Sequence, residues 1–202
     1  VTLVQPPFWA HGTRQGVAPH AVSVLVTPPE SEPIDLATAK LYARLTGTDL
    51  DGLIPGFITS ARMQVEQETG LALIEQTRDV SYDAIAGPIL TLPSQSRPLQ
   101  SVTSITSTDS AGAEHVLDPA NYVVDLASAR IGLAIGGAWA SDLRPFRPYV
   151  IRIVSGWATP EAVPQPLKDA VGFFVDYLVN KDAMALQLYE QAIANWRPVV
   201  VA

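Results

Sequence analysis

The chain has 202 residues, enough for one sizeable core or for a small helical domain carrying an inserted lobe. Hydrophobic residues make up 48% of it and charged residues 16%, which excludes wholesale disorder, while 20 acidic against 13 basic side chains, a formal charge of -7, disfavour DNA binding through a basic patch. With no cysteine, disulfides, thiolate catalysis and cysteine-based zinc sites are removed together.

From Val1 to Pro33 the sequence mixes prolines, glycines and a few apolar residues without a helical period, and predicts an extended arm. Residues 1–10 lack the basic start and continuous apolar run of a signal peptide, and no stretch reaches the roughly 18 apolar residues of a membrane span, so a protein made in the cytoplasm is expected. The apolar pieces of the arm are Phe8-Trp9 and the run Ala21 to Val26, in which Val22, Val24 and Val26 alternate as in a strand. They pack either on a neighbouring subunit or back on their own domain.

Asp35 then precedes Leu36 to Leu45, where a side-chain oxygen can cap free amides and apolar residues fall at helical spacing, and Gly47 is expected to end the helix. A second helix begins near Asp51, since Pro55 is tolerated only in about the first turn, and stops at Thr69-Gly70. Its apolar stripe reads Leu53, Phe57, Ala61 and Val65, flanked by Ile54 and Ile58, with Gln64, Glu66, Gln67 and Glu68 pointing away.

From Leu73 to about Gly156 the period changes to short β-branched runs: Val80–Tyr82, Ile89–Leu92, Val102–Ile105, Tyr122–Val124 and Tyr149–Val154. Turn chemistry at Ala86–Pro88, Asp109–Gly112 and Asp118-Pro119 separates them, predicting a small antiparallel sheet or barrel. After Pro164 and Pro166 the helical period returns with Leu167, Val171, Phe174 and Leu178, followed by a further helix over roughly Asp182 to Ala194. Pro198 forbids its continuation, so the tail is expected to be extended.

The predicted fold is therefore α+β: a small helical bundle of two N-terminal and further C-terminal helices, with an inserted antiparallel β lobe and extended termini. In residues, this is an arm over 1–33, a helical body over 34–72 and 160–194, a β lobe over 73–159 and a tail over 195–202.

Chemistry-bearing patterns are weak. His11, His20 and His115 have no metal-ligand spacing, no Gly-x-Ser-x-Gly elbow occurs, and Gly132–Gly137 lacks the spacing and lysine of a phosphate loop. No cofactor, metal or catalytic residue is expected. The Ser/Thr-rich stretch Ser101–Ser110 reads as the wet face of a strand, and Trp139 and Trp157 as core or turn aromatics. The valines Val199, Val200 and Val201 have no obvious partner once the helix has ended. They can add as a strand to another chain or extend the protein's own sheet.

A series of these segments resembles a known family. Pro33–Lys40, Asp49–Asp51 leading into Leu53-Ile54, Val65-Glu66 and Thr69–Thr77 resemble the opening of phage head-tail connector proteins of the adaptor type. Pro98–Ile105 with Asp109 and Gly112, Tyr122–Asp125, and Gly156 followed by Val163–Lys168 resemble the family's middle and end. The likeness covers about Pro33 to Ala183. The arm before Pro33 is longer than usual, and the part after Asp182 matches no family motif.

Such proteins occur in tailed phages and gene transfer agents. The resemblance implies a non-catalytic subunit of a dodecameric ring between portal and stopper or tail terminator, lining a passage through which DNA moves without sequence-specific binding. On that reading the tail, Trp196, Arg197, Pro198, Val199, Val200 and Val201, docks on the portal, and Phe8, Trp9, Val22, Val24 and Val26 of the arm meet neighbouring subunits. The rival readings are a stopper or tail-completion protein of the same neck, and a small hydrolase or carbohydrate-binding domain, which needs a concave pocket with converging polar groups.

Overall fold

The computed structural model describes residues 21–198. In chain order these form β1 (Ala21–Thr27), α1 (Leu36–Tyr42), α2 (Ile54–Thr69), β2 (Gln76–Tyr82), β3 (Ile89–Thr91), β4 (Leu99–Thr108), β5 (Glu114–Val116), β6 (Tyr122–Asp125), β7 (Arg130–Leu133), β8 (Tyr149–Ser155), α3 (Gln165–Asn180) and α4 (Ala183–Ile193). The fold is α+β, as predicted. Every strand pairing within the two sheets is antiparallel, with orders β1-β2-β8-β4-β5 and β3-β7-β6, and they do not close into a barrel.

Helix α1 starts because the Asp35 carboxylate accepts from the Thr38 amide, a bond that also holds the Asp35 pKa below its ordinary value. It stops at Tyr42, three residues before the predicted Leu45: Arg44 takes a left-handed φ of 56°, so the chain turns ahead of Gly47. Helix α2 carries Pro55 in its first turn and ends at Gly70 in the left-handed region, both as the residues demand.

The face α2 buries is rotated from the expected one. Ile54, Ile58, Ala61 and Val65 are enclosed, whereas Leu53 is exposed at the helix start. Glu66, expected to point outward, is buried. Its neighbour in space is Arg62, one turn earlier, so the pair enters the core together.

Two apolar clusters organise the molecule. One joins α1, α2, α3 and α4 through Ile54, Ile58, Val65, Leu167, Val171, Val175, Tyr189 and Ile193. The other lies between the two sheets, with Val80, Tyr82, Ile105, Ile151 and Ile153 facing Leu90, Ala129 and Ile131. Strands β5 and β7 were not anticipated. Glu114–Val116 is too short for a period to be read, and Arg130–Leu133 contains Gly132 beside the Gly136-Gly137 turn.

Where α1 crosses α3, Gly172 is required. A side-chain carbon there would lie 2.4 Å from the Tyr42 ring, which also stacks edge-on against Phe173 and donates from its hydroxyl to Asp169 at 2.6 Å.

Candidate assembly surfaces

The helical body and the β lobe meet at Glu66. One carboxylate oxygen accepts from the Leu73 amide at 2.8 Å and the other from Arg62 Nη1 at 3.0 Å. Arg62 Nε donates onward to Glu32 at 2.8 Å, and Thr59 donates to the other Glu32 oxygen at 2.8 Å. This chain of bonds ties the segment before α1 to α2 and to the entry of the lobe. Burial pushes the Glu66 pKa up, while Arg62 and the Leu73 amide oppose that shift.

A cleft of about 620 Å³ opens beside this cluster and is lined by Glu32, Pro33, Asp35, Tyr42, Pro160, Glu161 and Lys168 among others. Its carboxylates are already engaged. Asp35 caps α1, Glu32 holds Thr59 and Arg62, and Glu161 is kept below its ordinary pKa by its own backbone amide and by Thr159. A general acid needs a shift opposite to those of Asp35 and Glu161. His115 is bound to Asp109 at 2.8 Å within the β4–β5 hairpin, where Asp109 also accepts from the amides of Ala111 and Ala113, a turn-stabilising arrangement.

The residues expected to meet partners fall at two places. Trp196 and Arg197 are not extended: the amides of both return to the Ile193 carbonyl, forming a last turn after α4. Trp196 packs on the helical cluster, and with Leu71, Pro98, Leu99, Leu126 and Trp157 it lines a shallow apolar recess of about 390 Å³. Arg197 is held between Glu68 and Glu190, and Glu68 also accepts from Tyr189 at 2.8 Å. Pro198 follows, and Val199, Val200 and Val201 lie outside the described residues, as do Phe8 and Trp9.

Val22, Val24 and Val26 belong to β1, which pairs along one edge with β2 of the same chain. Its other edge carries no strand among the described residues. Val22 is half-buried, while Val24 and Val26 are 52% and 44% exposed. Further large apolar residues are exposed that no sequence signal marked as outward, among them Leu41 on α1, Ile135 after β7, and Phe146 between Arg144 and Arg147 in the β7–β8 loop. Leu41 lay in what read as a buried helical stripe, and nothing local marks Phe146 as outward.

What the described residues define is an α+β unit with a β1 edge that carries no strand among those residues and a last turn after α4 held by Ile193, Glu68 and Glu190. Compared with solved structures, the chain is similar to one in the neck of an empty gene transfer agent particle computed with C6 symmetry: 26% identity, TM-score 0.74, covering 90% of this chain and 97% of that one. It is likewise similar in fold to a chain of the virion of a native gene transfer agent particle (24%, TM-score 0.71, 89% and 97% covered). A chain in the neck of a native particle computed with C12 symmetry matches at 24% identity and TM-score 0.65, with 88% and 98% covered. No protein-family model and no curated protein matches the chain.

Proposed function

We propose that this chain is a structural head-tail adaptor in the neck of a phage or gene-transfer-agent-like particle, one subunit of a dodecameric ring that joins portal to stopper or tail terminator and has no catalytic role. The observation that carries this reading is the near end-to-end likeness, at 26% identity, to a chain from a gene transfer agent neck, on top of a sequence resemblance that runs in the same order along Pro33 to Ala183. A closed ring suits the chain physically, because many weak head-to-tail contacts add when the rotation closes. The net charge of -7 suits a passage in which DNA must slide without sticking.

In this reading Val199, Val200 and Val201 dock on the portal as an added strand. Trp196, Arg197 and Pro198 form the root, held on the body by the Ile193 carbonyl and the two glutamates. Phe8, Trp9, Val22, Val24 and Val26 contact neighbouring subunits.

Ending the chain after Pro198 removes the valines and leaves the root in place. The shortened protein should melt like the full chain yet bind portal at least about tenfold more weakly, as expected for loss of a docked strand. Full portal attachment by the shortened protein would argue against tail docking. A stopper would bind tail components and ignore portal throughout, which separates that reading in the same pull-down.

A further inference from the structure

The β7–β8 loop presents one aromatic ring between two cations. Phe146 is 76% exposed, and its neighbours Arg144 and Arg147 are exposed with it. Neither arginine joins an ion pair among the described residues. The tip is pinned at several points. The Arg144 amide donates to the Thr108 carbonyl at 3.2 Å, the Thr108 amide to the Pro148 carbonyl at 2.8 Å, and the Arg147 amide to Asp83 at 2.9 Å. Arg144 Nη2 donates to the Arg147 carbonyl at 2.7 Å, Pro145 and Pro148 restrict the backbone on either side of Phe146, and Arg147 is held at a left-handed φ of 47°. A ring fixed in this way loses little conformational freedom on docking, and phenylalanine and arginine are residue types that interfaces favour.

The cleft beside α1 and the start of α3 has the complementary chemistry. Ile34, Leu36, Ile58 and Pro160 give it apolar walls, and Asp35 and Glu161 are exposed carboxylates, with Lys168 also in the lining. Hydrogen bonds within the fold keep both acids ionised, and a carboxylate has lone pairs for further donors. Its volume of about 620 Å³ falls within the range of about 300–1,000 Å³ that takes up small groups, so a phenyl ring fits. The tip cannot seat in the cleft of its own copy. It is pinned to the ends of β2 and β4 that pair with Tyr149 at the start of β8, whereas Pro160 and Glu161 follow the far end of β8 at Ser155, where the chain joins the helical body. Seven residues of strand put roughly 20 Å between those ends.

We propose that the tip formed by Arg144, Phe146 and Arg147 docks in the cleft of a second copy of this chain, with Phe146 between the apolar walls and the arginines against Asp35 and Glu161. This rests on the ring reading above and names a contact that holds the ring. Charge selects the occupant: copies of a chain with net charge -7 repel one another over most of their surface, and a cationic tip facing an acidic cleft is where they attract. Burying the ring supplies affinity, and the arginines fix its orientation. Tip and cleft lie on different parts of the molecule, so the contact is heterologous, the kind that closes into a ring around a rotation axis.

The absence of native cysteine allows a direct test. Pro145→Cys leaves the ring and both arginines in place, and Gln165→Cys lies on the exposed lining of the cleft. The two are made singly and together, mixed with portal and treated with a short bis-maleimide, with rings scored separately by negative-stain microscopy. The mixed single variants should cross-link into pairs that neither forms alone, and the double variant should run as a ladder of multimers on a denaturing gel. No link, a link only within one copy, or a link from the Pro145→Cys variant to portal alone overturns the proposal. Rings on portal without tip-to-cleft links would sink this contact and leave the adaptor reading standing. Tip-to-cleft ladders without portal rings would do the reverse. As a second measure, Arg147→Glu and Glu161→Arg should each cut ring yield at least about tenfold with the circular dichroism spectrum unchanged, and together in one chain should restore most of it, because opposite charges face each other again. A combined variant no better than the single ones would count against the contact.

Discussion

Replacing Arg62 by leucine should lower the unfolding free energy by about 3–5 kcal/mol, the range for removing one partner of a buried ion pair, and the thermal midpoint by roughly 10 °C for a chain of this size. Arg62 and Glu66 both lie in the core with side chains 9% and 4% exposed, so the carboxylate left behind cannot turn to water. It would keep only the Leu73 amide and the long contact to Gln76. Glu32 would lose its ion-pair partner at the same time. Packing gained from the leucine offsets little of this.

The pH dependence of that variant follows from the sign of the shift. Burial already raises the Glu66 pKa, and Arg62 is the strongest influence opposing it. Without Arg62 the folded-state pKa rises further above the unfolded value, so folding takes up a proton. The stabilisation from that proton is present below the unfolded carboxyl pKa and is lost as pH rises through the folded one. Urea midpoints measured from mildly acidic to neutral pH should therefore show the variant falling further behind the parent as pH increases. A gap that stays constant or narrows toward neutral pH would mean that Glu66 is solvated in the variant. Changing Glu66 to leucine as well should recover part of the loss, because the orphaned charge is gone.

Gly156→Ala is expected to cost about 4 kcal/mol or more, combining a left-handed backbone with a core clash. Gly156 has φ of 105°, and a side-chain carbon there would lie 2.2 Å from the Ile74 carbonyl oxygen and 2.8 Å from the Glu75 amide nitrogen. The obstacle is backbone on a crossing segment. That segment is fixed by the Glu75 amide donating to the Trp157 carbonyl at 2.9 Å, while the Gly156 amide donates to the Pro98 carbonyl at 2.8 Å. Three stretches of chain therefore meet where β8 leaves the lobe for α3. Gly112 serves as the control: its φ is 89°, but the space around it is open, so alanine there meets backbone strain alone. Soluble yield and melting temperature of the two variants should differ widely. Similar behaviour would mean that the crossing relaxes and that Gly156 is needed only for its φ.

Much of the fold was legible because local chemistry dictates it. Asp35, Pro55 and Gly70 mark helix ends through bonds and dihedral angles that involve only nearby residues. The strands over Val80–Tyr82 and Tyr149–Val154 alternate visibly, because one face of each meets the core between the sheets. The α+β order, and with it the likeness to neck proteins, follows from those signals. β1 was also readable as an alternating run. That it joins its own sheet along one edge, with no strand on the other among the described residues, is a pairing of residues fifty or more positions apart, which no local pattern encodes.

The amino-acid sequence by itself determined the caps and ends at Asp35, Pro55 and Gly70, the alternating strands at Val80–Tyr82 and Tyr149–Val154, and that the chain lacks thiol chemistry, since each depends on a residue and its immediate neighbours. Tertiary structure alone decided the fate of the charges and the free surfaces. Glu66 is buried because Arg62 and the Leu73 amide happen to converge on it, Trp196 and Arg197 turn back because Ile193, Glu68 and Glu190 lie within reach, and Phe146 faces outward because nothing packs over its loop among the described residues. The physical reason is that desolvation is set by what surrounds a side chain in space, and those surroundings are brought together only by folding.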